Sequence, residues 1–400
     1  MSTTPAIEQI EEKAPRVSLP PSEPQHSGYI DALRGIAILG VILVHASILS
    51  PQGPFLAVIS FTGQRGVQLF YMVSAFTLFL SLDSGRIERF QCSNFFIRRF
   101  CRIAPLFYLA IIGNLLLNGR VISLSPYVEL SKVEVLSGFL FLHGLSPRTI
   151  SYVAIGGWSV AVETTFYLLV PFLFSRIKNL GSAISLFLVS AFVLGTISYW
   201  FAALPENAHM DSNYFQFLWF PIEFPVFALG IITYMAWKQY VKHASLRKGQ
   251  SRELSLLLIV ASVVLYSACL PFGDKGLYLS SFLFLPLILG LAIHPWSFFV
   301  NGFTRFMGKI SYSVYLCHFF VLKVVKQILT NFDSWPNQFA NSYLNGKPLG
   351  LVIAFLLTLA MSLPLCMFTW KFVEQPGIRA GKEWIRRREQ RAATLRTQEQ

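Results

Sequence analysis

Apolar runs long enough to cross a bilayer alternate with short polar stretches along most of the chain. A membrane-spanning helix needs about 20 predominantly apolar residues, and we identify ten such runs between Ile30 and Val373. They lie at 30–49, 66–82, 103–119, 158–176, 181–203, 215–236, 254–271, 277–294, 311–329 and 349–373. Because lipid-exposed backbone must satisfy its own hydrogen bonds, this pattern predicts an all-α fold, a polytopic membrane helical bundle.

The composition agrees with a chain that needs membrane lipid around it. Hydrophobic residues make up 54% of the sequence and charged residues only 13%, which is more apolar surface than a soluble fold of this size can cover. The net charge is +13, but the basic residues lie in short stretches between apolar runs, so we predict no nucleic-acid partner. The five cysteines are scattered without metal-ligand spacing, which predicts neither a disulfide framework nor a metal site.

The basic residues indicate the orientation of the bundle. Ten spans place both termini on one side, and the segments on that side hold 25 of the 33 Lys and Arg residues, against six on the other side. Because cytoplasmic loops are enriched in Lys and Arg, we predict cytoplasmic termini and a multi-pass protein of the cell (inner) membrane. The apolar segment from Val133 to His143 is too short to cross, so we assign it to an outer loop as a re-entrant or surface piece.

Polar segments flank the predicted bundle on both sides. Residues 1–28 carry acidic side chains where a signal peptide would carry Lys or Arg, and they have no apolar core, which predicts a disordered cytoplasmic tail. Residues 29–374 form the predicted transmembrane domain. Residues 375–400 form a basic cytoplasmic tail, in which Trp384 and the arginines at 386–388 suit a helix on an anionic inner leaflet.

The first apolar run contains three ionisable residues, Asp31, Arg34 and His45. Eleven residues separate Arg34 from His45, which brings them within about 20° of one line on a helix, about 16 Å apart along its axis. Arg34 could simply reach the headgroups and His45 could bond a neighbouring helix. Ionisable residues inside a membrane are nevertheless functional candidates by default.

Six stretches in chain order resemble the acyltransferase-3 family of membrane O-acyltransferases. The spacing of Arg34 and His45 is similar to the family's Arg-x10-His signature. The other stretches are Gly66 to Phe76, the Arg-x-x-Arg-Ile-x-Pro sequence from Arg99 to Tyr108, the Trp-Ser-Val-x-x-Glu sequence from Trp158 to Pro171, Gly308 to His318, and the Glu-x-Pro element at Phe372 to Pro376. Three departures are Ala75, where a Gly is common, one extra residue before Tyr108, and Thr164, where the family carries a second Glu.

The resemblance covers residues 30–377 and implies transfer of an acyl group, usually acetyl, from a cytoplasmic thioester to a hydroxyl of a carbohydrate or glycolipid acceptor. The donor expected on this basis is acetyl-CoA, with no metal. The family's catalytic His maps onto His45. A neutral imidazole is the usual base at working pH for removing the proton of an attacking hydroxyl, so His45 suits that role chemically.

Arginines near the cytoplasmic end form a candidate donor-binding site. Arg99 and Arg102 stand three residues apart and therefore share a helix face, where two guanidinium groups can clamp phosphate. Arg34 lies at the same predicted depth. The alternative is that these side chains are ordinary cytoplasmic anchors of their helices.

Glu163 lies about one and a half turns inside the fourth run, near the depth inferred for His45. Its carboxylate could orient the imidazole, bind acceptor hydroxyls, or pair with a basic residue such as Arg65. Trp158 and Tyr167, on the same run, are candidates for stacking against a sugar ring.

The ninth run carries a polar stripe. Ser311, Tyr315 and His318 recur at helical spacing and share one face. This stripe is a candidate lining of the same cavity, with Tyr315 and His318 as substrate-binding residues, and a hydrogen-bonded seam between helices explains it equally well.

Two other function classes use similar residues. A secondary transporter that exports a carbohydrate or an acylated small molecule would also bury His, Glu and Arg, although we find no internal repeat. A non-catalytic subunit of an envelope polysaccharide assembly complex would keep the motifs for packing. The sequence assigns no oligomeric state.

Overall fold

The computed structural model describes residues 25–49, 62–84, 90–117, 130–203, 215–244, 251–269, 277–333 and 348–398. Within these ranges the chain is helical and contains no β-strand, which confirms the all-α class. The α-helices are α1 (Gln25–Ser47), α2 (Gly66–Asp83), α3 (Gln91–Leu117), α4 (Lys132–Phe139), α5 (Pro147–Ile150), α6 (Gly157–Arg176), α7 (Leu180–Ala202), α8 (Phe215–Leu218), α9 (Phe220–Ala244), α10 (Ser251–Cys269), α11 (Leu277–Ile293), α12 (Gly302–Lys309), α13 (Ser311–Asp333), α14 (Pro348–Thr369) and α15 (Gln375–Gln398).

Each of the ten predicted apolar runs coincides with helical structure. Seven helical stretches in the described ranges are long and apolar enough to cross a membrane: Gly28–Ser47, Gly63–Asp83, Gly157–Arg176, Leu180–Phe201, Phe220–Val241, Ser251–Ala268 and Pro348–Leu395. Helices α3 and α13 carry several basic residues, and the apolar part of α11 is shorter. The count of ten spans and the cytoplasmic termini stay predictions. The expected N-terminal tail lies largely outside the described residues.

Some helix boundaries differ from the predicted ones. Helix α3 begins at Gln91 rather than at residue 103, because its first turns are amphipathic and carry three arginines that an apolar window excludes. The sixth run is broken at Trp219, between α8 and α9. Pro221 follows this break in the first turn of α9, where the N–H group that proline lacks has no partner within the helix anyway.

Helix α1 lies in the middle of the bundle and touches its neighbours through glycines. A Cβ atom added at Gly308 of α12 would lie 1.7 Å from the carbonyl oxygen of Asp31, and one added at Gly35 would lie 2.0 Å from that of Thr304. On another side of α1, a Cβ at Gly66 would lie 2.3 Å from the Ala37 oxygen. Small residues of this kind let helix backbones approach closely inside a membrane. These contacts fix the part of α1 that carries Arg34.

We expect Gly308→Ala to destabilise the protein, because the added methyl group collides with backbone that cannot move without displacing α1. Overpacking of this kind costs about 1–3 kcal/mol or more of unfolding free energy. Thermal unfolding of the detergent-solubilised protein measures the effect. The matched control is Gly302→Ala in the same helix, where an added Cβ meets nothing within 4 Å; equal stability of the two variants would contradict the packing argument.

The segment Val133 to His143 folds back against α3. Ser131 caps α4, and Glu134 completes a capping box. The chain then reverses at Phe141, whose φ is 59°, and the ring of Phe141 stacks on that of Phe107 with centroids 5.3 Å apart. The hydroxyl of Tyr108 donates a hydrogen bond to the backbone oxygen of residue 139 at 2.8 Å. The segment is therefore one short helix and a reversing turn that pack against α3.

Residues 375–398 form one long helix, and its placement on a membrane leaflet stays a prediction. Helix α15 follows α14 through a π-helical turn, Trp370–Glu374, and packs against the first half of α3. A Cβ at Gly377 would lie 2.5 Å from the Cys101 oxygen, and Asn94 donates a hydrogen bond to Glu389 at 2.8 Å. On the exposed face, Glu383 pairs with Arg386 and Arg387 at 2.7 Å each. Helix α15 thus braces the part of α3 that carries Arg99 and Arg102.

Candidate active site

A cavity between the helices is lined by six of the predicted site residues. These are Arg34, Arg99, Arg102, Glu163, Tyr167 and Tyr315. Three cavity-lining residues of α6 stand four positions apart, so Ser159, Glu163 and Tyr167 mark levels about 6 Å apart along the helix axis. The arginines lie around the Tyr167 level, which we call the basic end. Tyr315 lies at the Ser159 level, which we call the closed end.

The basic end is built to attract an anion. The guanidinium carbon of Arg99 lies 5.6 Å from the ring centroid of Tyr167 and 5.7 Å from that of Phe95, within cation–π range. Its Nε–H group is buried and has no hydrogen-bond partner within the described part of the chain. A buried donor of this kind is costly unless something satisfies it. Arg34 and Arg102 line the same end of the cavity.

Glu374 lies beside this site without lining the cavity, and the sequence analysis gave it no role. Its side chain is 2% exposed and accepts a hydrogen bond from Ser313 at 3.0 Å, within electrostatic range of Arg102 and Arg34. The π-helical turn ends at Glu374, and such turns occur frequently at functional sites. The sequence feature that could have indicated Glu374 is the Glu-x-Pro element, which places a carboxylate at the end of an apolar run.

The carboxylate of Glu163 forms its hydrogen bonds with residues of the cavity wall and not with His45. One carboxylate oxygen accepts hydrogen bonds from Tyr167 at 2.6 Å and from Ser74 at 2.7 Å. The carboxylate also lies within electrostatic range of Arg34 and Arg99. Both of these hydrogen bonds belong to the cavity wall and neither involves His45, so a role for Glu163 in orienting the imidazole stays a prediction. Equal predicted depth on two helices did not make the two side chains neighbours.

At the closed end, the hydroxyl of Tyr315 is engaged by the protein itself. It accepts a hydrogen bond from Ser159 at 2.7 Å and donates one to the carbonyl of Gly156 at 3.2 Å. Gly156 has a φ of 75°, and a Cβ there would lie 2.5 Å from the Phe319 ring. Tyr315 thus lines the cavity as predicted, but its hydroxyl closes the wall instead of facing a substrate.

His45 and His318 meet beyond this wall, outside the lining of the cavity. Nε2 of His318 lies 3.1 Å from Nδ1 of His45, and Nδ1 of His318 lies 3.0 Å from the backbone oxygen of Val314. His318 is fully buried and His45 is half-buried. The ring centroid of Tyr315 lies 6.1 Å from that of His318. The polar stripe on α13 therefore serves both as cavity lining and as a seam to α1.

Of the two aromatic residues predicted to stack against a sugar ring, one lines the cavity and the other does not. Tyr167 lines the cavity, with its hydroxyl bonded to Glu163. Trp158 does not line it: its ring meets Tyr71 edge-on at 6.5 Å and packs against a small apolar cluster that includes Ile150 and Phe201. Trp158 is partly buried and lies outside the lining of this cavity, so a stacking role for it stays a prediction.

Comparisons with known proteins agree with these motifs. The chain is 23% identical over 381 residues to the O-acetyltransferase OatA of Staphylococcus aureus strain NCTC 8325, an alignment that covers 88% of this chain and 57% of that protein. A putative O-acetyltransferase of Staphylococcus aureus strain COL is 24% identical over 382 residues, with the same two coverages. The chain thus spans little more than half the length of these relatives. No solved structure matches it.

The family comparison covers most of the chain. The sequence profile described as an acyltransferase domain matches residues 27–370, a range that contains the cavity, the histidine pair and the glycine contacts of α1. It ends at Trp370, the first residue of the π-helical turn, and so does not include Glu374. On this match, the chain belongs to the acyltransferase-3 family.

Proposed function

We propose that this protein is a multi-pass O-acyltransferase of the inner membrane. It transfers an acetyl group from cytoplasmic acetyl-CoA to a hydroxyl of a carbohydrate or glycoconjugate acceptor at the opposite face. In the reaction, a bond forms between the acceptor oxygen and the carbonyl carbon, the C–S bond of the thioester breaks, and the hydroxyl proton ends on the CoA thiol. The observation that carries the proposal is a basic cavity that ends at Tyr315, whose ring lies beside His318 of the histidine pair.

The arginines at the basic end suit the phosphates of a CoA donor. Guanidinium groups bind phosphate with paired, charge-assisted hydrogen bonds, and the Nε–H of Arg99 has no other partner within the described residues. The space open to water-sized molecules is about 80 Å³, which corresponds to only about six waters. A nucleotide is too large for it. We therefore assign the nucleotide to the mouth of the cavity and the narrower pantetheine arm to its interior, which must widen to admit it.

His45 is the proposed general base, and it takes the hydroxyl proton as the acceptor oxygen attacks the thioester carbon. The wall formed by Tyr315 separates it from the cavity in this structure. Transfer therefore requires two hydrogen bonds to break, the one that Ser159 donates to Tyr315 and the one that Tyr315 donates to the Gly156 carbonyl. A wall of this kind keeps water away from the thioester until the acceptor is in place.

The purified full-length protein tests the reaction class. We expect it to release CoA thiol from acetyl-CoA, with a rate that rises when short malto-, cello- or chito-oligosaccharides are added and with a matching mass increase of one acetyl group on the sugar. The same protein in liposomes separates the rival class. Flux of sugar across the bilayer without any thiol release would overturn the proposal in favour of a transporter.

A further inference from the structure

The histidine pair joins two helices at one defined pair of atoms. His45 stands near the end of α1 and His318 in the middle of α13, 273 positions apart, and their ring nitrogens Nδ1 and Nε2 lie 3.1 Å apart. The ring of Phe319 meets the His45 ring at 4.6 Å between centroids. The pair is therefore held by packing as well as by a hydrogen bond.

The protonation of His318 follows from its other contact. Nδ1 of His318 lies 3.0 Å from the backbone oxygen of Val314, and a carbonyl oxygen can only accept a hydrogen bond. The hydrogen must therefore be on Nδ1. His318 is fully buried, which disfavours a charged ring, and a neutral imidazole carries only one N–H group. Nε2 of His318 is consequently a bare acceptor.

This acceptor, together with a backbone hydrogen-bond contact of the ring at Val41, sets the tautomer of His45. Because Nε2 of His318 carries no hydrogen, the contact at 3.1 Å requires that Nδ1 of His45 donates. The neutral ring of His45 then has its lone pair on Nε2. We infer that His318 is a positioning residue that fixes this tautomer and so presents Nε2 of His45 as the nitrogen that accepts the hydroxyl proton. The inference rests on the proposed role of His45 as the base.

The same bond stabilises His45 after it has taken the proton. The ring is then an imidazolium, and its Nδ1–H group donates a charge-assisted hydrogen bond to His318, stronger than the neutral one. His318 does not touch the reacting atoms. If His318 had only a structural role on α13, its hydrogen bond to Val314 would be sufficient. A positioning role also requires the hydrogen bond to His45, so variants that keep one bond and not the other distinguish the two roles.

Two variants of similar size separate these interpretations. Glutamine at 318 can place an amide oxygen near the position of Nε2 and accept from His45. Asparagine is shorter and can reach only the position of Nδ1, where it keeps the bond to Val314. We expect His318→Asn to lower kcat about 100-fold with KM for acetyl-CoA unchanged, and His318→Gln to stay within about tenfold of the unchanged protein.

The measurement is steady-state acetyl transfer by the full chain in detergent, with thermal unfolding of each variant. Equal kcat values for His318→Asn and His318→Gln, both high or both low, would overturn the inference. Histidine 15N chemical shifts of the unchanged protein give a second readout, which does not depend on a folded variant at position 318. The signals of His45 are assigned as those that disappear in His45→Ala. We expect them to show a protonated Nδ1 and an unprotonated Nε2. The opposite tautomer would also overturn it, whereas an active His45→Ala protein would instead remove the proposed function.

Discussion

Acetyl transfer by a His45→Ala variant is expected to fall by about 10²–10⁴-fold in kcat, the range that a positioned general base contributes. The KM for acetyl-CoA should stay near its original value, because His45 does not line the cavity that carries the arginines. The assay is acceptor-dependent thiol release with the purified variant. Alanine also cannot hold His318, so the pair is lost together with the base.

The control for this experiment is Ile48→Ala, one turn further along the chain from His45, where the side chain is 69% exposed. This variant removes apolar surface without touching the histidine pair, and we expect activity close to that of the unchanged protein. Both variants should reach the membrane in equal amounts and unfold at similar temperatures. Acetyl transfer at the original rate by folded His45→Ala would exclude this residue as the base.

The helices could be predicted from the sequence because lipid imposes one strong rule. Every backbone group in the bilayer core must bond within its own helix, so an apolar run of sufficient length becomes a helix whatever lies beside it. The run from Gly66 follows this rule closely, ending at Asp83 where the first charged side chain appears. Where charge intrudes, as in the first turns of α3, the rule loses its signal and the boundary shifts by twelve residues.

The cavity could be predicted in part for a different reason. Burying Arg99, Glu163 and Tyr167 inside a membrane costs free energy. Because each side chain needs polar surroundings, they are expected to line a common polar cavity. Depth along a helix, however, does not define which neighbour a side chain faces. Glu163 was expected near His45 on depth alone, and it bonds Ser74 of α2 instead.

The contacts that pair distant segments could not be predicted. Gly308 meets Asp31, and His318 meets His45, across about 275 residues in each case. Which helices adjoin depends on how the whole bundle packs, and no local pattern in a single sequence encodes that choice. The π-helical turn that ends at the buried Glu374 could not be predicted either. One extra residue in a helical turn leaves no mark on hydrophobic periodicity.

The arginines of α3 carry the second large expected effect. Arg99 and Arg102 line the basic end of the cavity, whereas their neighbour Arg98 does not. Arginine holds phosphate through a rigid planar fork, which lysine cannot reproduce. A charge-assisted hydrogen bond to a phosphate contributes about 1.5–3 kcal/mol, which corresponds to roughly 10- to 150-fold in affinity. The loss should appear in donor binding, because the arginines lie at the opposite end of the cavity from Tyr315 and the histidine pair.

We therefore expect Arg99→Gln and Arg102→Gln each to raise KM for acetyl-CoA by about 10- to 100-fold, with a much smaller change in kcat. Arg99→Lys should recover only part of the loss, since it restores the charge without the fork. Titration calorimetry with CoA in detergent measures binding directly, and Arg98→Gln is the matched control on the same helix turn. A KM that does not change in either cavity variant, or one that rises equally in Arg98→Gln, would show that these residues only anchor α3 to the membrane surface.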